Sequence, residues 1–338
     1  MPGIADSPIA ALPVAIVDIE TTGLHPRGDR ILEIAVVRVD PGGEPRLLLE
    51  TLVDPRQPVS ATEIHGITDD DVRGAPTFRD LAPSLLGSLS ECVFAAYNVY
   101  FDSKFVAAEL GRKGVGAFPP HLCLMYMRPL LGLGARCSLD DACRTHGVPH
   151  RSDHVAADDA LASARLWLTY VKEMESQQVR TFGDLMQRKS YKFFASFSDP
   201  VLEKTESRGA FRAKSRWAGA RDRPPAQTSA GDRRGHISEY WDALKVAVAD
   251  LTIERSEVKY LIEKRQALGL SDGEVRSVHA RAFAGILANV TDDQRIDRTE
   301  VERVAAMADA LRQLGWAPGD HFDGRTPRPS LLRRLFGG

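Results

Sequence analysis

The sequence predicts an α/β domain, a mixed sheet flanked by helices, followed by a smaller all-α domain. Three observations lead there. Short apolar segments with turn signals between them crowd the N-terminal region; strand-like and helix-like segments then alternate; and beyond a stretch rich in Arg, Gly, Pro and Ser the pattern is helical only. At 338 residues the chain has room for one sizeable domain and a smaller one.

Residues 14–18 (VAIVD) form a continuous apolar run that ends in carboxylates, as a buried central strand does when its end carries function. RILEIAVVRVD (30–40) reads as a second strand and RLLLETLV (46–53) as a third. The turn sequences PRGD and PGGEP separate them, so an antiparallel meander is expected. TFRDLAPSLLGSL (77–89) is an amphipathic helix pattern interrupted by Pro83, and CVFAAYN (92–98) is a strand. Helices are expected over 102–114 and 138–147, each ending in glycine, and over a long alanine-rich stretch from 156 to 175. These elements make up a domain of residues 10–176.

Residues 177–235 read as a basic, flexible linker. Residues 236–320 read as a helical domain with an internal repeat: DLTIERSEV (250–258) and DQRIDRTEV (293–301) align without gaps. Ser256 and Thr299 fall where helix N-caps belong, and Ser271 with Glu274 and Thr299 with Glu302 have capping-box spacing. Val275, Val278, Ala282 and Ile286 make one apolar stripe; Val301, Val304, Ala308 and Leu311 make another. Residues 321–338 form a basic tail.

The net charge of −2 gives no global field to attract nucleic acid, so such attraction must be local. No apolar run reaches membrane-spanning length and no basic-then-apolar leader opens the chain, so a cytoplasmic, membrane-free protein is expected. Cys92, Cys123, Cys137 and Cys143 lack CxxC spacing and are expected as small buried residues. RKSYKFFASF (188–197) interleaves basic and aromatic residues; packing at the domain's end is the preferred reading over single-strand stacking.

The chemistry lies in three acidic segments. Asp18 and Glu20 are two apart on a strand, which puts both carboxylates on one face. Asp102 follows a strand at the start of a helix, where an acid is favoured by the helix dipole. His154 precedes the long helix and Asp159 lies in its first turns; a buried Asp there needs a partner, and a cation supplies one. Asp158, turned about 100° away, is expected in solvent. Four carboxylates and a histidine are what a two-metal phosphodiesterase uses.

With these segments in place, residues 10–176 resemble the DEDDh (DnaQ-like) 3′–5′ exonucleases, the superfamily of the proofreading subunit of bacterial replicative polymerases. VDIETTG is close to that family's first motif. AYNVYFD resembles the second, with Tyr97 where histidine is common. HVAADDA fits the third, and EIHGIT (63–68) resembles a segment whose histidine borders the terminal-nucleotide pocket. The resemblance implies an RNase H-like fold and two Mg²⁺ or Mn²⁺ ions. It makes Asp18 a bridge between them, Glu20 and Asp159 ligands of one, Asp102 a support for the other, and His154 the base. It also implies a pocket of Thr21, Thr22, Leu24 and His65, and release of nucleoside 5′-monophosphates from a 3′ end. Single-stranded DNA, in repair or proofreading-like editing, is the favoured substrate. An exonuclease for RNA ends or oligoribonucleotides, and a 3′-end-binding scaffold, are the alternatives.

The 236–320 repeat resembles the TerB-like domain of tellurite-resistance proteins, with D-x-x-I-x-x-x-E as Asp250/Ile253/Glu257 and Asp293/Ile296/Glu300. Leu251 and Gln294 replace the glycine that often follows the Asp, so docking of a protein partner is expected there rather than metal binding. LLRRLF (331–336) faintly resembles a sliding-clamp-binding peptide without its glutamine.

Overall fold

The computed structural model describes residues 4–151, 154–198, 213–215, 230–248, 254–290, 298–315 and 317. The chain divides into two compact units, one of residues 1–22 and 26–228, the other of residues 23–25 and 229–338.

The first unit is built on a five-stranded mixed sheet. Its strands are β1 (Val14–Thr21), β2 (Ile31–Val39), β3 (Arg46–Leu52), β4 (Val93–Ala96) and β5 (His121–Cys123), in the order β3-β2-β1-β4-β5. β1, β2 and β3 pair antiparallel, as the short turns between them require. β4 joins β1, and β5 joins β4, in parallel, because helices cross over between them. β1 is the middle strand, and Val14 to Val17 are at most 1% exposed. Burying each valine or isoleucine there contributes about 2 kcal/mol, so the strand that carries the acids is firmly seated.

Helices α1 (Thr62–His65), α2 (Asp69–Val72), α3 (Phe78–Leu89), α4 (Val99–Gly111), α5 (Leu124–Leu130), α6 (Leu139–His146), α7 (Ala156–Ser176) and α8 (Phe182–Arg188) flank the sheet. α7 packs across β1, β2 and β3. Ala156, Ala157, Ala160 and Ala164 on it are fully buried, and their small side chains bring the helix close to the strands. α6 starts with the Ser138 side chain accepting from the Asp141 N–H and stops at Gly147 in the left-handed conformation.

Two expectations need correction. α4 begins at Val99 rather than Asp102, so Asp102 lies inside its first turn. Part of the supposed linker is structured in this unit: α8 and a 3₁₀ segment (Lys192–Ser198) bury Phe182, Phe193, Phe194 and Phe197, whose apolar area outweighs the basic composition around them. Tyr191 is half-buried beneath the Lys189 ammonium. Farther on, the Lys214 carbonyl accepts from Leu52 N–H at the end of β3. The rest of 199–229 lies outside the described residues.

The second unit contains α9 (Ala230–Val248), α10 (Arg255–Ala267), α11 (Asp272–Val290) and α12 (Arg298–Gln313). Val275, Val278, Ala282 and Ile286 are buried along α11, and Val304, Ala308 and Leu311 along α12. The Ser271–Glu274 capping box forms. Ser256 is not a cap: Glu254 takes that place, with Glu257 reaching back to its N–H at 2.9 Å. Lys264 and Glu239 form a buried ion pair at 2.6 Å, and Tyr240 OH and His279 Nε2 a buried hydrogen bond at 2.9 Å. Asp250, Ile253, Asp293, Ile296 and the 331–336 tail segment lie outside the described residues. No described helix is long and apolar enough to cross a membrane.

Candidate active site

Asp18 and Glu20 occupy alternate positions of β1, so they share one face of the sheet. Parallel pairing of β1 with β4 brings the C-terminal ends of both strands to the same edge. β4 leads through Asn98 into α4, which delivers a buried Asp102 there. The start of α7 arrives at the same face: His154 precedes the helix, and Asp159 lies in its first turn, 8% exposed. Glu33 on β2 lies opposite Glu20 in the strand register and fixes that helix start. Its Oε2 accepts the Ala156 N–H at 3.2 Å, an acid meeting the positive end of the helix dipole.

Glu20, His154 and Asp159 can each present one ligand atom such that all lie within 4.8 Å of one another, and all three residues are buried. His154 Nδ1 is 3.6 Å from Glu20 Oε1. The His154 backbone is left-handed, with φ at 49°, a conformation that an L side chain adopts at a cost. Asp18 and Asp102 stand at the same end of the sheet but outside this trio. Asp158 is half-buried and also outside it.

Asp159 has a second neighbour that sequence reasoning missed. His150, on the loop between α6 and α7, directs Nε2 to Asp159 Oδ1 at 2.7 Å and Nδ1 to Asp140 Oδ1 at 2.6 Å. Burial lowers the basicity of His150, but the hydrogen bonds its ring donates to the two carboxylates outweigh it, and its pKa is pushed up to about 10. Burial holds the Asp159 carboxyl above the usual carboxylate range, with the Glu20 charge acting in the same sense and the His150 hydrogen bond against it. Glu33 was missed as well; its sequence signal was an acid inside an otherwise apolar strand, fully buried here.

Two buried carboxylates converge here, hard oxygen donors of the kind a divalent cation takes, and the His154 imidazole stands beside them within 4.8 Å. A cation would also relieve the desolvation that burdens Asp159.

Around the acids, polar side chains are committed to holding the loops. Thr22 Oγ1 donates to Asp29 and accepts from Arg30 N–H and Gln57 Nε2. His65 is 2% exposed; its Nδ1 accepts Ile67 N–H, which makes Nε2 the donor to the Ser60 carbonyl. Thr21 is buried, and Leu24 is half-buried on the loop after β1. Tyr97 is also buried and donates its hydroxyl to the backbone carbonyls of Cys137 and Ser138, tying the end of β4 to the cap of α6. The four cysteines are free and buried. Burial pushes the thiols of Cys92 up to about 11 and of Cys123 and Cys143 up to about 12, so they are inert at neutral pH.

Residues 15–167, the segment that carries this cluster, match the exonuclease family RNase_T. A DNA polymerase III subunit epsilon-like protein of Rhodobacter capsulatus is 30% identical over 193 residues, covering 54% of this chain and 27% of that protein. The PolC-type DNA polymerase III of Thermotoga maritima is 29% identical over 188 residues, covering 54% of this chain and 14% of that one. The chain thus spans about a quarter or less of the length of these relatives. The solved zinc-bound E. coli ExoI–ssDNA complex aligns with a TM-score of 0.41 and 20% identity over 50% of this chain and 42% of that one.

Proposed function

We propose that the first unit is a metal-dependent 3′–5′ exonuclease that releases nucleoside 5′-monophosphates, with DNA as the favoured substrate. The observation that carries this reading is the buried trio Glu20, His154 and Asp159, within the segment that matches an exonuclease family.

Glu20 and Asp159 would hold one divalent cation, with Asp18 and Asp102 serving a second from the same edge of the sheet. Two such ions, Mg²⁺ or Mn²⁺, supply charge stabilisation for the attacking and leaving oxygens of an in-line displacement. His154 takes the proton from the attacking water, a role suited to an imidazole near neutral pH. The water oxygen forms a bond to the terminal phosphorus. The bond from phosphorus to the 3′ oxygen of the preceding nucleotide breaks, and that oxygen leaves as the new 3′ hydroxyl once protonated. Thr22 and His65 shape the pocket for the terminal nucleotide by holding its loops, since their polar atoms already serve the protein. Thr21 is assigned to the same pocket, and Leu24, which the resemblance also implies there, falls in the second unit. The helical unit is assigned to partner docking rather than metal binding, because Leu251 and Gln294 replace the glycine that often follows the Asp of the repeat.

The test is degradation of 5′-labelled single-stranded DNA and RNA with Mg²⁺ or Mn²⁺, using Asp18→Ala and His154→Ala as controls. Stepwise shortening from the 3′ end, lost in both variants, supports the reading and identifies the sugar. An intact protein that holds 3′ ends without shortening them would turn the assignment to a binding scaffold.

A further inference from the structure

We propose that Asp140 and His150 form a positioning relay for Asp159, fixing the metal-binding carboxylate of α7 from behind. The inference rests on the metal-site reading above and adds two residues to it.

The geometry carries the argument. The His150 side chain is 6% exposed, and both of its ring nitrogens meet carboxylate oxygens, Asp140 at 2.6 Å and Asp159 at 2.7 Å. With both nitrogens so engaged, the ring has no site left to take a proton from water, so it is not a second base. Its ring plane is fixed at two points. One is Asp140, in the first turn of α6; the other is Asp159, in the first turn of α7. A carboxylate with Oδ1 fixed can present Oδ2 in one direction only, and Asp159 belongs to the trio whose ligand atoms converge within 4.8 Å. Metal-binding carboxylates are commonly oriented by such outer hydrogen bonds. The loop that carries His150 also carries His154 four residues later, so the relay fixes the loop on which the base stands.

Removing an orienting contact weakens cation binding.

The experiment is calorimetric titration of Mn²⁺ into the full chain, as wild type, His150→Ala, His150→Gln, Asp140→Ala, the double variant His150→Ala/Asp140→Ala, and Asp159→Ala, each checked for folding by circular dichroism. Mn²⁺ affinity should fall roughly 10- to 100-fold in His150→Ala and Asp140→Ala. The double variant should be no worse than either single change, because the two act as one chain. His150→Gln, whose amide can still donate to Asp159, should recover part of the loss. If His150→Ala fails to fold, His150→Gln and Asp140→Ala carry the same comparison. Unchanged or tighter Mn²⁺ binding in His150→Ala, with binding abolished by Asp159→Ala, overturns the relay and leaves the metal site standing. Absence of Mn²⁺ binding by the wild type, or indifference to Asp159→Ala, overturns both.

Discussion

The two units share one way of burying charge and differ in another. In each, a buried charge meets a counter-charge: Lys264 pairs with Glu239 at 2.6 Å in the helical unit and Glu109 with Arg30 at 2.6 Å in the sheet unit. At one end of β1, however, carboxylates gather. Glu20, Glu33, Asp102 and Asp159 are all buried near one end of β1, with His150 and His154 as neighbours. A fold gains little from concentrating acids, since each loses hydration and repels the others. The contrast separates charge that pins an architecture from charge arranged for a ligand.

The sharpest way to break this comparison is to remove a group from each cluster. Asp159→Asn should lower the rate of 3′-end degradation by about 10³-fold, as loss of several kcal/mol of transition-state stabilisation would do at 1.36 kcal/mol per tenfold. Its thermal midpoint should hold or rise, because a buried acid has been neutralised. Activity within tenfold of wild type would remove Asp159 from the site. Lys264→Ala should do the reverse: a loss of about 3 kcal/mol in urea unfolding of the helical unit, with nuclease rate unchanged. Lys264→Met combined with Glu239→Leu should restore most of that loss; a single variant that costs nothing would mean the pair is not a pin.

Smaller effects refine the same contrast. Tyr240→Phe removes the hydroxyl that meets His279 and should cost about 1 kcal/mol, read from the same unfolding curves. The smallest effect is pH-dependent. The hydrogen bond from Arg233 holds Glu274 down to about 2, against an ordinary value of 4.5. A depressed acid stabilises the fold fully above its unfolded pKa and loses that contribution as pH falls through the folded one. The helical unit should therefore lose stability between about 4.5 and about 2, and Arg233→Ala should flatten that dependence. Because Glu274 is only half-buried and Arg233 more exposed, solvent screening keeps the amplitude small. An unchanged acid profile in Arg233→Ala would exclude the pair as its source.

What could be read from the sequence was whatever is written locally. The meander of β1 to β3 follows from apolar runs between turn residues, and the length of α7 from its alanine-rich period. The pairing of Asp18 with Glu20 follows from strand geometry alone. His150 was invisible because nothing local distinguishes it; its role arises only when α6 and α7 pack on either side of the loop. The same holds for Lys214, whose carbonyl finds the end of β3 across more than a hundred residues of chain. β5 and α5 escaped notice because a three-residue strand has too few positions to show a period. The aromatics of 188–197 pack at the domain's end as their spacing led one to expect, but the linker was drawn from 177 because the basic composition of the whole stretch hid the short helix α8. Ser256 looked like a cap, but Glu254 reached the helix start first, in partnership with Glu257.

The left-handed backbone of His154 has a consequence for how such a chain would age. Glycine would sit at that position without strain, so a population under selection for thermal tolerance alone would drift toward it. A histidine there carries a backbone cost that a use for its imidazole would offset. Descendants that gave up catalysis would be expected to shed this residue early, while the strand-borne acids, seated in the middle of the sheet, would linger.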